Sequence, residues 1–361
     1  MRKPQRWDMC VSHFDQDVVT FITQYFSRPE TTILFIAAAG FDPRSTVIAQ
    51  TLAAFAPKIR ALFIREQRAN PPRLLVQNAE AHARILAQLY ATHTTLPIQV
   101  FGTDGAVVGG RRIVAEISNV DLNGISDIIV DISALSSGIS FPLIRYLVEF
   151  SGRNVHVFLA HDSLLDDSIH PNTSDKPSLV HGFKGNWALD AGSASAVLWL
   201  PQLARGRKAA LSRIHEVVKP HDTCPIIPFP ASNPRQGDDV LEYFQNELEN
   251  TWEVDARNIV YAAENDPIDV YRTILQLDDL RTPVFAESGG SKLVLSPLGS
   301  KVLALGSMMA AIERELPIVY VEALGYEIDG PVATDPPPPK LLHLWLSGSP
   351  YPNDMTALID I

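Results

Sequence analysis

Cysteine is nearly absent: Cys10 and Cys224 are the two in 361 residues. That excludes a disulfide framework and a cysteine-rich metal site and points to a reducing, cytoplasmic setting. No apolar run approaches the ~18 residues expected of a membrane-spanning helix. The start, Met1-Arg-Lys-Pro-Gln-Arg-Trp-Asp8, is basic but lacks the apolar stretch of a secretion signal. Positive charge is also scarce. Thirty Lys and Arg stand against 41 Asp and Glu, a formal charge of −11. General nucleic-acid binding needs a basic surface and is not expected, although a local basic patch remains able to hold a small anion.

Several signatures are missing as well. There is no Gly-x-x-x-x-Gly-Lys-Ser/Thr loop and no Gly-x-Gly-x-x-Gly after the first strand of either half, so neither common nucleotide fingerprint is present. A Gly-x-Ser-x-Gly nucleophile elbow is absent. The histidines, among them His156, His161, His181, His215, His221 and His343, form no His-x-x-x-His pair with a third ligand. Serine-triad and zinc chemistry are therefore disfavoured.

What the sequence has is an internal likeness at a displacement of 163 residues. Asp131-Ile-Ser-Ala-Leu-Ser-Ser-Gly-Ile139 matches Leu295-Ser-Pro-Leu-Gly-Ser-Lys-Val302, with Ser133 on Ser296, Leu135 on Leu298 and Ser137 on Ser300. Short apolar runs follow the same displacement, 32–38 with 195–201 and 155–159 with 318–322, or fall within a few residues of it, 59–64 with 225–229 and 97–101 with 258–261. Between them lie helical patterns at 45–56, 75–93, 108–120 and 139–151, then 205–218, 236–252, 267–280 and 301–314. Apolar runs alternating with such segments indicate buried parallel strands with crossover helices. Each half reads as an α/β doubly wound parallel sheet of five strands in the order 3-2-1-4-5.

The repeat sets the expected boundaries. Residues 1–30 form a helical extension, with Phe14, Val18, Phe21, Ile22 and Tyr25 on one apolar face. The first sheet spans 31–160, a linker 161–193, the second sheet 194–323, and a Pro-rich extension 324–361. Ser178–Gly185 and Leu341–Gly348 read as matching appended edge strands, with Gly185 on Gly348. The apolar residues of 341–346 either pack on the second sheet or await a partner.

In an open parallel sheet the ligand crevice lies at the carboxyl ends of the strands, where the strand order reverses. Strands one and four flank that point. After strand one comes Gly40-Phe-Asp-Pro-Arg-Ser45, and after strand four Ser133-Ala-Leu-Ser-Ser-Gly138. Gly40 permits a tight exit, Ser45 caps a helix start suited to phosphate, and Arg44 offers a forked contact to an anion. Ser136 and Ser137 add hydroxyls. Asp131, at a strand's carboxyl end, suits ribose or magnesium. The bland counterpart is turn chemistry, with Asp42 paired to Arg44 and Asp131 satisfying nearby amides. In the second half Arg207 replaces Arg44, and Ser296, Gly299, Ser300 and Lys301 follow strand four. Asp266 before Pro267 reads as a helix cap, and Glu264 precedes it.

Two fused Rossmann-like units, with Ser/Gly/Arg loops at their switch points and no catalytic signature, resemble the tandem ligand-sensing modules of bacterial antiviral defence proteins. The CRISPR-associated Rossmann-fold sensors and the fused SAVED sensors are the nearest analogues. The resemblance is one of topology over residues 30–325; no diagnostic motif matches, and no residue role carries over. It implies recognition of a cyclic nucleotide or another phosphorylated signal, with the output passed to an effector that is a partner chain. The same layout also resembles a GT-B glycosyltransferase. A nucleoside-processing enzyme using Asp131 or Glu264 is the remaining catalytic alternative.

Overall fold

The strands of the first sheet are built from runs with no solvent face. Ile33–Ala38 and Asp127–Asp131 are buried at every position, as strands covered by helices on both sides must be. In the computed structural model, which describes residues 5–185, 195–329 and 338–351, the chain divides into two compact units. One comprises Met9–Ile169 with Gly325–Ile361, the other Met1–Asp8 with His170–Leu324. Of the expected linker and extension, 186–193, 330–337 and 352–361 lie outside the described residues.

The chain first runs β1 (Val11–Phe14), α1 (Gln16–Tyr25), β2 (Ile33–Ala38), α2 (Val47–Phe55), β3 (Ile59–Gln67), α3 (Arg73–Leu89), β4 (His93–Gln99), α4 (Gly109–Ser118), β5 (Asp127–Asp131), α5 (Ser137–Phe150), β6 (Asn154–His161) and α6 (Ser163–Ser168). There follow β7 (Ile169–Thr173), β8 (Ser178–Leu179), β9 (Ala196–Pro201), α7 (Lys208–Val218), β10 (Asp222–Thr223), β11 (Ile226–Pro228), α8 (Gln236–Tyr243) and β12 (Val260–Ala262). Then come α9 (Pro267–Phe285), β13 (Ser291–Ser296), α10 (Lys301–Arg314), β14 (Val319–Tyr320), β15 (Ala323–Ile328) and β16 (Lys340–Ser347).

The first unit carries a seven-stranded sheet in the order β1-β16-β6-β5-β2-β3-β4. Its five central and right-hand strands, β4-β3-β2-β5-β6, are all parallel and reproduce the order 3-2-1-4-5. Strands one and four, β2 and β5, are neighbours, with Ile33 opposite Asp127. β4 starts four residues before the apolar run that announced it. Its first three residues are exposed, because an edge strand needs no continuous apolar pattern.

β16 departs from the expectation of an appended edge strand. It lies inside the first unit's sheet, antiparallel to β6 on one side and to β1 on the other. The reason is in its sequence. Leu342, His343, Leu344, Trp345 and Leu346 are all buried, so both faces are covered and both edges paired. Its apolar residues are thus satisfied by the chain's own first sheet. The N-terminal segment also differs from a plain helical extension: Phe14 belongs to β1, while Val18 and Ile22 of α1 are buried and Phe21 and Tyr25 pack against the same core.

The second unit is more broken. β10-β9-β13 form one parallel sheet and β11-β12 another. Parallel bridges Gln202–Ile226 and Leu295–Ile318 connect β9 to β11 and β13 towards β14. Followed through these bridges, the order is again 3-2-1-4-5. Pro225 and Pro228 supply no N–H, which accounts for the interruption of strand two. A shared strand order is what two units of this class have in common and does not by itself make one a copy of the other. β8 pairs antiparallel with β14 at this sheet's end. Gly185 and Gly348 both adopt positive φ, 52° and 105°. A Cβ at Gly185 would stand 2.4 Å from Glu315 O, and one at Gly348 would stand 2.1 Å from Asn154 Oδ1. The unit's core centres on Trp199, Leu211, Ile214, Phe244 and Trp252. Trp7 joins this unit, edge-on to Tyr271 at 5.9 Å, with its amide donating to the Tyr271 hydroxyl at 3.3 Å.

If β16 is a core strand, Leu344→Ala should cost about 2–5 kcal/mol, the usual result of emptying a fully buried leucine site. A shift of the first unit's urea transition corresponding to less than about 1 kcal/mol would contradict that assignment.

Candidate functional site

The loops expected to form a crevice do leave the carboxyl ends of adjacent strands β2 and β5. Gly40 has ordinary backbone geometry, and a Cβ there would meet Ala38 Cβ at 3.9 Å. The exit from β2 therefore does not require glycine; Gly40 contributes its carbonyl, 2.9 Å from His82 Nδ1. Asp42 caps the short 3-10 turn Pro43–Thr46, accepting from the Arg44 amide at 2.9 Å.

Arg44 is buried and fully committed. Its Nε and Nη2 donate to the two Asp42 oxygens at 3.0 and 2.7 Å, and its Nη1 donates to Asp166 Oδ1 on α6 at 2.6 Å. Burial opposes its charge, but Asp42 and then Asp166 outweigh burial and raise its pKa. Burial likewise opposes ionisation of Asp166, yet His161 and Arg44 hold its carboxyl well below the usual range. The pairing of Asp42 with Arg44 is the turn chemistry read from the sequence, now with a second carboxylate that the sequence did not signal.

Strand four ends in a similar local structure. Asp131 accepts from the amide and hydroxyl of Ser133, and Ser133 Oγ accepts from the Ala160 amide at 2.7 Å. Both residues are buried; they tie the end of β5 to β6. Ser136 is the N-cap residue of α5 and Ser137 its first residue. The Ser136 amide donates to Glu66 Oε1 at 2.7 Å. Glu66 Oε2 is paired with Arg68 Nη1 at 2.7 Å, and the Arg68 guanidinium lies over the Tyr326 ring at 5.1 Å. Tyr326 in turn stands 5.3 Å from Phe41.

Glu66 is the residue that sequence reasoning missed. It sits near the end of β3, and β2 lies between β3 and β5. To reach the helix after β5, its side chain must therefore cross the end of β2, where the strand order reverses. A carboxylate thus occupies the start of α5, where the sequence offered the Ser136 and Ser137 hydroxyls to a ligand. The signal was available: Arg65-Glu66-Gln67-Arg68 places charge at the carboxyl end of strand two. Among the described residues, Ser45 Oγ and Ser136 Oγ are buried with no hydrogen-bond partner.

The second unit fills the corresponding place with an amide. Gln202, just beyond β9, is fully buried, and its Nε2 donates to Leu303 O and Ser307 Oγ of α10, both at 2.8 Å. Here a glycine relieves crowding: a Cβ at Gly299 would stand 3.1 Å from Gln202 Cβ and Oε1, close enough that Gln202 would have to shift. Ser300 caps α10 through the Leu303 amide at 3.3 Å. Ser296 Oγ accepts from Trp199 Nε1 at 2.9 Å and donates to Val319 O at 2.8 Å. Lys301 is the first residue of α10 and Arg207 the N-cap of α7, both partly buried. Asp266 caps α9 with Pro267 at its first position, as read from the sequence. Glu264 accepts from the Ser232 amide at 2.7 Å.

Among the described residues, no group of three His, Cys, Asp or Glu is placed to hold a metal ion. No helix there is long and apolar enough to cross a membrane. Compared with known proteins, the chain matches no family model and no curated sequence.

Removing Arg44 strands buried Asp42 beside Asp166. Arg44→Ala should destabilise the first unit by about 3–5 kcal/mol, the penalty for breaking a buried ion pair from one side. Urea denaturation with and without the substitution measures it; an unchanged midpoint would mean that the cluster is open to water.

Proposed function

We propose that this chain is a ligand-sensing, regulatory subunit that binds a phosphorylated, nucleotide-like signal at the switch point of its first sheet and acts through a partner effector. The observation that carries the reading is the Glu66 carboxylate on the Ser136 amide, 2.7 Å away at the start of a 14-residue helix. A helix start favours an anion through its free amides and dipole, and Glu66 stands where such an anion belongs. A phosphoryl oxygen makes the same contact while offering further acceptors to the Ser45 and Ser136 hydroxyls. Phe41 and Tyr326 add flat apolar surface beside it, suited to a base.

Glu66 is then the competitor that a ligand displaces. Arg68 stays with it by the 2.7 Å pair, so the displaced carboxylate keeps a counter-charge. Arg44 stays with Asp42 and Asp166 and serves as a strut rather than as the ligand's clamp. The carboxylates at this edge are engaged by amides, hydroxyls or arginines. That arrangement suits binding better than acid–base catalysis, which needs a carboxyl group within reach of substrate. Occupancy alters a partner only through a difference in affinity between two states of the chain.

Calorimetric titration with nucleoside monophosphates and cyclic dinucleotides tests the proposal. Glu66→Gln should tighten binding about tenfold, about 1.4 kcal/mol, because the competing anion is gone. Absence of binding to both the wild type and Glu66→Gln would overturn it.

A further inference from the structure

At the amino-terminal half of β5, away from the crevice, three imidazoles and a carboxylate form one hydrogen-bonded line. Asp127 Oδ1 lies 3.0 Å from His156 Nε2, His156 Nδ1 lies 3.0 Å from His343 Nε2, and His343 Nδ1 lies 2.9 Å from His13 Nδ1. The four residues come from β5, β6, β16 and β1, which are adjacent in that order. The line therefore crosses the strands, and its last two contacts fasten β16 to both neighbours. His156 and His343 are fully buried, Asp127 nearly so, and His13 is half-buried. Helix α1 covers the line: Phe21 stacks on His13 and His343 at 4.5 and 4.4 Å, and the Tyr25 hydroxyl donates to Asp127 at 3.1 Å.

Proton counting fixes the direction of every bond. Ionised Asp127 only accepts, so His156 carries its hydrogen on Nε2. Its Nδ1 then accepts from His343 Nε2–H, and His343 Nδ1 accepts from His13 Nδ1–H. One tautomer set satisfies all three contacts with every ring neutral. A first added proton enters at His13 Nε2 and leaves these bonds intact. Further protons must reach His343 or His156, where a doubly protonated ring turns an acceptor nitrogen into a donor facing a donor.

We propose that this line is a proton-gated clamp that holds β16 between β6 and β1 at neutral pH and releases it on acidification. The charged and titratable groups around it are Asp17 beside His13, and Tyr25 and Asp127 at the other end, with Arg28 and Glu30 acting on Tyr25. Asp15, at the turn after β1, accepts from the Leu341 amide at 3.0 Å. Ser126 and Tyr25 donate to Asp127, and Asn154 reaches the Tyr25 hydroxyl at 3.5 Å.

Burial depresses the pKa of His13 against the pull of Asp17, and that of His156 against the pull of Asp127; His343 falls furthest, by burial and then by its two histidine neighbours. A histidine whose folded pKa lies below its unfolded value of ~6.5 leaves the unfolded or released state binding more protons. Its stabilising effect is complete above that value and declines as pH falls below it. Asp127 has the same sign lower on the scale. Burial opposes its ionisation, but bonds from His156 and Ser126 prevail and lower its pKa, so its contribution is present above ~3.9 and lost below. The release window therefore opens near pH 6.5.

Hydrogen exchange on the full chain at pH 7.5 and 5.5, corrected for intrinsic rates, tests the clamp. Opening should increase by up to about tenfold per pH unit for each fully buried histidine. Peptides from β16 and β1 should lose protection about tenfold to a hundredfold, while those from β2 and β3 keep theirs. His343→Phe, which removes both ring nitrogens but keeps an aromatic ring, should flatten this difference. Nitrogen-15 NMR of the wild-type chain gives a check independent of any variant: at pH 7.5, His156 and His343 should be neutral with the hydrogen on Nε2. Equal protection of β16 at both pH values, an unchanged pH response in His343→Phe, or a charged His343 at pH 7.5 would each overturn the clamp.

Discussion

The antiparallel pairing of β16 with β6 and β1 is the constraint on which the first unit depends. Five parallel strands laid down by Ile33–His161 would leave the hydrogen-bonding edge of β6 open. Lys340–Ser347 closes it, with Leu342 opposite Leu159 and Leu344 opposite Val157. The strand that completes this sheet is thus separated from its neighbour by nearly half the chain. Non-local pairings of this kind form late, because loop closure must come before the contact that rewards it. The insertion also creates chemistry that neither neighbour holds alone. Without β16 there is no ring between His156 and His13, and the polar line across the sheet does not exist.

Both switch points are occupied by side chains of the chain itself. In the first, Glu66 crosses the end of β2 to the start of α5; in the second, Gln202 bonds the first turns of α10. Arg44, the most cationic feature of the first crevice, is neutralised by two carboxylates. Buried charges persist where partners compensate their lost hydration, and an arginine with two forked or single carboxylate contacts meets that condition. The same physics that makes a loop look ready for an anion makes it a good place for the protein's own acidic residues.

Local rules carried the fold far. Ile33–Ala38 and Asp127–Asp131 read as buried parallel strands because apolar continuity is what two-sided burial requires, and their adjacency followed from the strand order. The cap at Asp266 was legible because capping is decided within a few residues; the cap read at Ser45 is instead made by Asp42, and the Ser45 hydroxyl takes no part in it. What was hidden depends on distance along the chain. The run Leu341–Leu346 showed that it must be covered but not by which sheet, since a continuously apolar strand is buried on both faces in either. Asp166, 122 positions beyond Arg44, leaves no trace in local pattern; the charged run Arg65–Arg68 marked the end of strand two, but not that Glu66 reaches Ser136, 70 positions on. The histidine line was the least legible of all: His13, His156 and His343 share no spacing, and only the interleaving of β16 brings them together.

A crevice already filled by a tethered carboxylate sets a threshold for whatever is to enter it. Glu66 is presented to the Ser136 amide at an effective concentration fixed by the chain, on the order of mM or above for so short a tether. A free carboxylate or inorganic phosphate offers little more than the same single contact and gains no advantage over it. A ligand that combines a phosphoryl group with a stacking base supplies several contacts at once, and these outweigh the one that is lost. On the proposed reading, self-occupation therefore serves selectivity: it excludes simple anions by competition and leaves the site to a larger molecule whose base can rest beside Phe41 and Tyr326. The overall charge of −11 acts in the same sense. Long-range repulsion of anions weakens beyond a Debye length of about 8 Å, so discrimination falls to the contacts within the crevice.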